Sequence, residues 1–447
     1  MNLLKKNPIR WIPTVYFAMG VPFIVLSQVS VLIFKDLGVS TEEITFWTSW
    51  LILPWSLKWL ISPIMETFGT KKKYIVFTEL VSAIMFGCMI FALPLPGFFT
   101  ITLALMAVMA VSGSMHDIAG DGVYMDELDA ETQSKYSGWQ GAFYNLAKVL
   151  ANGALVYLAG WLVKSGGFSQ IAAWQSILFI FAIVMLGVGL YHIKELPQRE
   201  EQPDTRTMHD KFVELGQIFV DFFKKPYIWL YLVFVFLYRF AEGLATKVAP
   251  IFLKDAIEKG GIGLDNEQYG LIYGTFGAVA FIIGSILAGY YISHFGLKKV
   301  IFSLVCIFNI PFVVYLVFAL YQPHEMWQIA LGIIFEYFTY GFGFVGIILF
   351  MMQQIAPGKY QMAHYAIANS IVNFGVMFPG MISGYLSIGQ NQLNLLNSLG
   401  VESITRALAP YGGYQLFFGF VMLMTLPSIL LCKFVPFVHD DKPKEQA

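Results

Sequence analysis

Apolar segments of about 20 residues recur along the whole chain, and each is as long as an α-helix must be to cross a bilayer. Of the 447 residues, 57% are hydrophobic and 13% charged, whereas soluble domains have about half and about a quarter. Stretches such as 329–352 are apolar on every face, which argues against the alternating pattern of a membrane β-barrel. We therefore expect an all-α, polytopic membrane protein.

Twelve transmembrane helices are predicted, in two halves of six. The second and eighth follow the capping sequences 40–43 and 265–268. With the amino terminus inside, most Lys and Arg residues fall in cytoplasmic segments, so both termini are expected to be cytoplasmic. The predicted spans are 12–34, 42–65, 74–93, 98–125, 136–163, 171–193, 227–253, 267–292, 299–321, 327–352, 361–387 and 412–434.

The longest polar break follows the sixth span and divides the two halves. We expect a six-helix half at 1–194, a cytoplasmic linker at 195–225, a second six-helix half at 226–436 and a tail at 437–447. Within the linker, apolar residues recur at helical spacing, which predicts a short amphipathic helix on the membrane surface. This helix is expected to be a brace, and a regulatory arm is the alternative.

Short sequences recur between the halves. Gly69 with Lys71 and Lys72 is echoed by Gly296 with Lys298, each after the second span of its half. Parallel six-helix repeats are the build of major facilitator transporters, whose halves rock about a central site. These loops are therefore expected to act as a conformational latch and not as a substrate site.

The fourth predicted span ends in an unusual density of polar residues. Because polar groups at membrane depth are costly, they are functional hypotheses by default. Asp117 and Asp121 stand four apart and share a helical stripe, so both are candidates for proton coupling, and His116 is a candidate for substrate binding. Asp126 and Glu127 are expected to reach the headgroups.

Charged residues also interrupt spans seven and ten. Arg239 and Glu242 are three apart and share a face, so they form either a structural ion pair or a coupling site. Glu336, with Tyr340 one turn on, has the protonatable carboxylate that proton coupling requires. Glu242 and Glu336 join the proton-coupling candidates, and Arg239 and Tyr340 join the substrate-binding candidates.

Five further polar residues are substrate-binding candidates, each with a structural alternative. Lys148, on a stripe with Asn145, could attract an anion or pair with Asp117. Lys58 could instead snorkel to the inner face. Asn369 and Asn373 face one way, and hydrogen bonds between helices are the commoner use of such residues.

Other classes of protein find little support in the residues. Cys88, Cys306 and Cys432 stand singly in apolar spans without metal-ligand spacing. The segment 341–346 matches the dinucleotide fingerprint formally, but it lies inside an apolar span, so we interpret it as close-packing glycines. No phosphate loop, nucleophile motif or basic patch for nucleic acid occurs, so neither an enzyme nor a cofactor is expected. A membrane-embedded enzyme or sensor is the alternative class.

Five segments together resemble the motifs of one family. They are FAMGVP at 17–22, LKWLISPIME at 57–66, DIAGD at 117–121, YRFAE at 238–242 and FE at 335–336. The family is that of the AmpG-type muropeptide permeases, within the major facilitator superfamily and related to the acetyl-CoA transporters of solute carrier family 33. The resemblance extends over almost the whole chain, and the His-Asp-Ile-Ala form resembles a branch found in Bacteroidetes-type bacteria.

The resemblance implies a function and a set of residues. It implies a proton-coupled importer in the bacterial inner membrane, working as a monomer on a glycan-derived solute such as an anhydro-muropeptide or an amino-sugar saccharide. The chain departs from the family in having His116 for a glutamine and Arg239 for a lysine, and in lacking a basic residue after the second aspartate. A carrier of a simple sugar, an organic anion or a CoA ester is the alternative. The implied functional residues are Lys58, Asp117, Asp121, Arg239, Glu242 and Glu336.

Overall fold

The fold is built from helices throughout the part that the computed structural model describes, which comprises residues 6–68, 70–128, 130–197, 208–398, 400 and 402–439. No strand occurs among these residues. Eleven of the described helices are long and apolar enough to cross a membrane by length and composition. The predicted all-α polytopic fold class is confirmed.

The helices are numbered here in chain order. They are α1 (Pro8–Asp36), α2 (Thr41–Trp50), α3 (Lys58–Phe68), α4 (Lys71–Ala92), α5 (Phe98–Glu127), α6 (Ala130–Lys148, continued by Val149–Ala154 and Leu155–Lys164), α7 (Gln170–Glu195), α8 (Met208–Phe223), α9 (Ile228–Lys254), α10 (Asn266–Phe295), α11 (Leu297–Tyr321), α12 (Met326–Ile355), α13 (Gln361–Leu386), α14 (Gly389–Ser398), α15 (Glu402–Leu408) and α16 (Tyr414–Cys432).

The chain divides into two compact units. The first comprises Met1–Leu37 and Leu51–Leu215, and the second comprises Gly38–Trp50 and Gly216–Ala447. The second unit therefore includes α2, which lies far from the rest of that unit in sequence. The predicted domain boundaries at 194, 225 and 436 stay predictions.

The second predicted span is not one continuous helix. A short helical turn, Leu53–Ser56, lies between α2 and α3, and it ends at Leu57. Pro54 lies in this turn, and it has no backbone N–H and disfavours a helical residue before it. This explains why eleven long apolar helices are found for twelve predicted spans, since residues 42–65 are divided between α2 and α3.

Small residues bring α2 close to α13 within the second unit. The Gly384 amide donates a hydrogen bond to Thr45 Oγ1 at 3.1 Å. A Cβ atom added at Gly380 would lie 2.7 Å from Ser49 Oγ, so a larger residue has no room there. In a bilayer, where the surrounding lipid is as apolar as the helices, such close approach is a main source of attraction between them.

The glycines of 341–346 also face neighbouring helices, as the sequence predicted. A Cβ at Gly341 would overlap the Phe281 carbonyl of α10, and one at Gly343 would overlap Phe308 of α11. From the other side, a Cβ at Gly284 would overlap the Phe338 carbonyl of α12. These residues set the distances between α10, α11 and α12.

The helix ends follow the predicted capping chemistry. Asp265 accepts a hydrogen bond from the Gln268 amide at 2.8 Å, and Gln268 Oε1 accepts one from the Asp265 amide at 3.1 Å. Before α2, Ser40 Oγ accepts from the Glu43 amide at 3.3 Å. Both pairs satisfy amide groups that the first helical turn leaves without partners.

Several long helices contain local irregularities. The helix α9 is interrupted at Arg239, whose φ of −105° and ψ of 4° separate Ile228–Tyr238 from Phe240–Lys254. Wider π-helical turns occur at Val25–Val29 in α1 and at Val149–Ala154 in α6. Such turns are frequent at functional sites because they change the direction of side chains within a helix.

Candidate functional sites

An ion pair joins α3 and α5 in the first unit. Lys58 Nζ lies 2.6 Å from Asp117 Oδ2, and the Trp55 indole donates to the same oxygen at 2.9 Å. The side chains of Lys58 and Asp117 are 28% and 12% exposed. Asp117 Oδ1 is buried and has no hydrogen-bond partner among the described residues. Among the described residues, one of the two carboxylate oxygens of Asp117 is thus left with its hydrogen-bonding capacity unused.

The break in the second predicted span explains how Lys58 reaches this position. Lys58 is the first residue of α3, directly after the helical turn that contains Trp55. Ser114 of α5 donates to the Pro54 carbonyl at 2.8 Å and so ties this turn to α5. Two donors from a short segment therefore converge on one oxygen of Asp117.

A chain of hydrogen bonds surrounds Asp121. Tyr16 of α1 donates to Asp121 Oδ1 at 2.8 Å, and Gln140 of α6 donates to the Tyr16 hydroxyl at 2.7 Å. Three helices therefore meet at one tyrosine oxygen. Asp121 and Asp117 share a stripe of α5, as the sequence predicted, but each has its own partners.

The polar residues of α6 lie at a second irregularity. Lys148 is the last residue before the π-helical turn and is buried. Asn145 donates to the Gly141 carbonyl of its own helix at 2.8 Å, while Asn152 donates to Gln28 of α1 at 2.9 Å.

In the second unit, Arg239 and Glu242 form a bidentate ion pair. Arg239 Nε lies 2.5 Å from Glu242 Oε2, and Nη2 lies 2.5 Å from Oε1. Tyr340 of α12 also donates to Glu242 Oε1, at 2.8 Å. Both charged side chains are largely buried. The pairing places three of the predicted site residues in one cluster.

Aromatic rings line this ion pair. The Arg239 guanidinium lies 5.1 Å from the centre of the Phe344 ring, within the range of a cation–π contact. The Tyr340 ring lies 5.1 Å from Phe281 and 5.4 Å from Phe308. The site thus combines one cation, one carboxylate and flat apolar surfaces.

Glu336 lies on the same helix as Tyr340 but has different neighbours. The Tyr315 hydroxyl of α11 donates to Glu336 Oε2 at 3.2 Å, and Glu336 itself is buried. Nearby, Tyr273 stacks against Tyr269 and meets Tyr337 edge to face. Glu336 is therefore held among tyrosines.

The two candidate asparagines of α13 are half-buried. Neither Asn369 nor Asn373 forms a side-chain hydrogen bond within the described ranges, although such bonds between helices were the alternative to substrate binding. Their amides thus keep their hydrogen-bonding capacity.

The predicted latch residues are placed only in part. Gly69 lies outside the described residues. Lys71 pairs with Asp126 at the end of α5, and Lys72 donates to the Leu196 carbonyl at 3.1 Å. In the second unit, Gly296 has a positive φ of 83° between α10 and α11, and Lys298 is exposed.

Among the buried titratable residues that sequence reasoning missed, three are Glu79, His192 and Lys247. Glu79 in α4 contacts both His116 and His192 of α7, and Lys247 in α9 lies 3.4 Å from the Thr48 carbonyl. All three stand in predicted apolar spans. The rule that singled out Glu242 and Glu336, namely that ionisable residues in a span have a function or a partner, would have identified them too.

Known proteins resemble this chain along most of its length. The sequence model described as "Major Facilitator Superfamily" matches residues 14–384. An uncharacterized protein of Haemophilus influenzae is 23% identical over 94% of this chain and 92% of its own length. The anhydromuropeptide permease of Escherichia coli K12 is 20% identical over 73% of this chain and 64% of the permease. A Rickettsia bellii protein named AmpG 1 is 22% identical over 86% and 87%. The resemblance to AmpG-type proteins is thereby confirmed.

Solved structures resemble the fold at low identity. A D-xylose-proton symporter superposes with a TM-score of 0.69 at 13% identity, covering 96% of this chain and 98% of the symporter. The nucleoside transporter NupG superposes with a TM-score of 0.67 at 13% identity, covering 95% and 100%. At such identities these likenesses concern the fold alone.

Proposed function

This chain belongs to the Major Facilitator Superfamily, and we propose that it imports a glycan-derived solute, an anhydro-muropeptide or an amino-sugar saccharide, in symport with protons. Membership in this superfamily makes it a membrane transporter and not an enzyme. The substrate class, the coupling and the direction are the proposed part.

The observation that carries the proposal is the group formed by Arg239, Glu242 and Tyr340. A buried cation needs an anionic partner, because leaving it unpaired costs about 3–5 kcal/mol. Glu242 fills that role here. A carboxylate-bearing solute, such as one with a lactyl group, can replace Glu242 as the partner of Arg239 only if the charge of Glu242 is first removed. This exchange makes binding of the solute depend on a proton.

The transport step follows from the same exchange. A proton from outside neutralises Glu242, Arg239 then binds the anionic group of the solute, and the neutralised site permits the change between outward and inward access. Loss of the proton inside restores the ion pair and expels the solute. Lys58 and Asp117 form a second pair of the same chemistry, while Asp121 and Glu336 are further proton-coupling candidates.

The aromatic rings beside the ion pair suit a solute that contains sugar rings. The rings of Tyr340 and Phe344 can stack on pyranose faces beside Arg239. A relative over much of the chain is named an anhydromuropeptide permease, which favours an amino-sugar substrate. Other substrate-binding candidates are His116, Asn145, Lys148, Asn369 and Asn373.

The proposal also covers the location of the protein and its conformational latch. We place the protein in a bacterial inner membrane as a monomer, with both termini cytoplasmic and with six-helix halves at 1–194 and 226–436. The latch residues Lys71, Lys72 and Lys298, with the glycines beside them, would stabilise one of the two conformational states between which the transporter alternates.

The test is uptake of labelled N-acetylglucosaminyl-anhydro-N-acetylmuramic acid into proteoliposomes that contain the full chain. With an inward proton gradient we expect uphill accumulation that a protonophore abolishes. The variant Glu242→Gln should lose this accumulation, while Glu258→Gln, on an exposed turn, should keep it.

Two other outcomes would change the proposal. Accumulation that persists without a proton gradient would remove proton coupling but keep the substrate. Absence of uptake by correctly folded protein would remove the amino-sugar substrate, and competition assays with xylose, lactate and free CoA would then test the alternative solutes.

A further inference from the structure

Four helices of the first unit bring a carboxylate and two imidazoles together, and of these groups only His116 is a candidate residue in the proposed function. Glu79 comes from α4, His116 from α5, His192 from α7 and Thr14 from α1. Glu79 and His192 are 0% exposed, and His116 is 3% exposed. We call these four residues the Glu79 site.

One oxygen of Glu79 accepts from both imidazoles. Oε1 lies 2.7 Å from His192 Nδ1 and 3.1 Å from His116 Nε2. An ionised carboxylate can only accept hydrogen bonds, so both of these nitrogens carry hydrogen. Oε2 is buried and has no partner within the described ranges. Among the described residues, the two imidazoles are thus the hydrogen-bond donors to the Glu79 carboxylate.

Thr14 gives the site two hydrogen-bonded arrangements. Its hydroxyl oxygen lies 2.7 Å from His192 Nε2 and 3.1 Å from the Trp11 carbonyl. If the single hydroxyl hydrogen points to Trp11, His192 Nε2 must donate to the hydroxyl oxygen, and His192 is an imidazolium. If the hydroxyl turns toward His192, Nε2 accepts and the imidazole is neutral. The two arrangements differ by one proton and one hydroxyl rotation.

The charge of the site favours the protonated arrangement. With both imidazoles neutral, a net negative charge is enclosed among four helices, which is costly in a low-dielectric interior. With His192 as imidazolium the charges cancel, and both contacts of the Thr14 oxygen are used. We propose that the Glu79 site is a proton-binding site, which holds one proton on His192 at neutral pH and can release it when Thr14 rotates.

Three carboxylates on the helices of the site have partners of their own. Asp117 is bound by Lys58, Asp121 by Tyr16, and Glu195 by Arg10 at 3.7 Å. The charged and titratable residues that share these helices with the Glu79 site are Arg10, Tyr16, Lys35 and Asp36 on α1, Lys71, Lys72, Lys73, Tyr74 and Cys88 on α4, Asp117, Asp121, Tyr124, Asp126 and Glu127 on α5, and Tyr191, Lys194 and Glu195 on α7. The balance within the site is therefore set by Glu79, His116 and His192.

The site is linked to the ion pair of α3 and α5 through the backbone. His116 directly precedes Asp117 in α5, so a displacement of α5 that changes the contact with Glu79 also moves the partner of Lys58. A role in coupling rests on the proposed function, whereas proton binding itself does not.

The test measures the protonation state of His192 directly and does not depend on transport. The full chain, labelled with ¹⁵N-histidine and reconstituted in lipid, contains seven histidines, and nitrogen NMR separates imidazolium from neutral imidazole. At pH 7 we expect an imidazolium signal that disappears in His192→Gln and persists in His294→Gln, which removes an exposed histidine. A neutral His192 in the wild-type protein from pH 5 to 9 would overturn the proposal.

Two further variants keep the test independent of folding. Thr14→Ser retains the hydroxyl and should keep the imidazolium signal, whereas Thr14→Val removes the acceptor and should convert His192 to the neutral form at pH 7. An unchanged imidazolium signal in folded Thr14→Val would contradict the two arrangements.

A role of the site in coupling is tested by uptake. Glu79→Gln should reduce gradient-driven uptake about tenfold, the change that 1.4 kcal/mol produces, while solute exchange without a gradient persists. If the wild-type protein takes up no solute, the NMR result still decides on the proton site.

Discussion

Arg239 and Glu242 stand three positions apart on α9, and the guanidinium donates one hydrogen bond to each carboxylate oxygen. The interruption of α9 at Arg239 is part of this geometry, because the arginine ends one helical segment while the glutamate lies in the first turn of the next. Two residues of a single helix thus form a pair that needs no second helix to hold its charges together.

Replacing Arg239 by lysine is expected to weaken the site although the charge is kept. Lysine cannot form two parallel bonds to a carboxylate, and a lost hydrogen bond to a charged group costs about 1.5–3 kcal/mol. Uptake of the anhydro-disaccharide should fall roughly 10- to 150-fold at a subsaturating concentration, which initial-rate measurements in proteoliposomes can detect. An unchanged rate would show that the bidentate contact has no part in transport.

The two lysine–aspartate pairs of the first unit should differ in their contribution to stability. Lys58→Met leaves Asp117 with the Trp55 indole in a largely buried position, so a loss of about 3 kcal/mol or more is expected. Lys71→Met removes the more exposed pair with Asp126, for which about 0–1 kcal/mol is typical. Thermal unfolding of the purified variants compares them directly, and equal losses would contradict the difference in burial.

Two glycines of α10 provide a matched test of helix packing. Gly284→Ala places a methyl group against the Phe338 carbonyl of α12, and such overpacking costs about 1–3 kcal/mol. Gly289→Ala, on the same helix, meets no atom within 4 Å and should be neutral or slightly stabilising. The melting temperature is expected to fall by a few degrees for the first variant alone.

Lys225 caps the end of α12 and should make stability depend on pH. Its Nζ donates to the carbonyls of Ile355, Ala356 and Pro357 at 2.5, 3.2 and 2.8 Å. Burial lowers the pKa of Lys225 to about 8, whereas the unfolded chain keeps a lysine pKa of about 10.4. Between these values the unfolded state binds more protons, so the contribution of Lys225 to stability rises with pH.

The variant Lys225→Met isolates this contribution. As the pH is raised from 7.5 to 9.5, the melting temperature of the wild-type protein should rise relative to that of the variant. Both are measured in the same buffer series. The neighbouring Lys224, whose side chain is exposed, gives the control Lys224→Met, for which the difference should be constant over this range.

Hydrophobic patterning was sufficient to predict the all-α fold and the approximate spans, because segment length and composition decide whether a helix can cross a bilayer. It was not sufficient for the region 42–65. There the apolar pattern continues through Pro54, and local backbone chemistry divides the segment into α2 and α3. The interruption at Arg239 has no proline or glycine to mark it, so it could not be predicted from local backbone chemistry.

Spacing within one helix predicted the pair of Arg239 and Glu242 because both residues lie on one face. Contacts between helices could not be predicted in the same way. His116 meets Glu79 and His192, which come from two other helices, and Asp117 pairs with Lys58 although Lys148 was the partner considered from sequence. Which faces of helices meet depends on packing details that a single sequence does not specify.

The assignment of residues 38–50 to the second unit has a consequence for any attempt to build chimeras of this protein. A chain divided at the predicted linker 195–225 leaves α2 on the amino-terminal fragment, whereas Gly380 and Gly384, which receive it, stay on the other fragment. A hybrid that joins the amino-terminal half of one homologue to the carboxyl-terminal half of another would therefore combine α2 and α13 from different parents. The natural exchange module is discontinuous, and hybrids should transfer residues 38–50 together with 216–447.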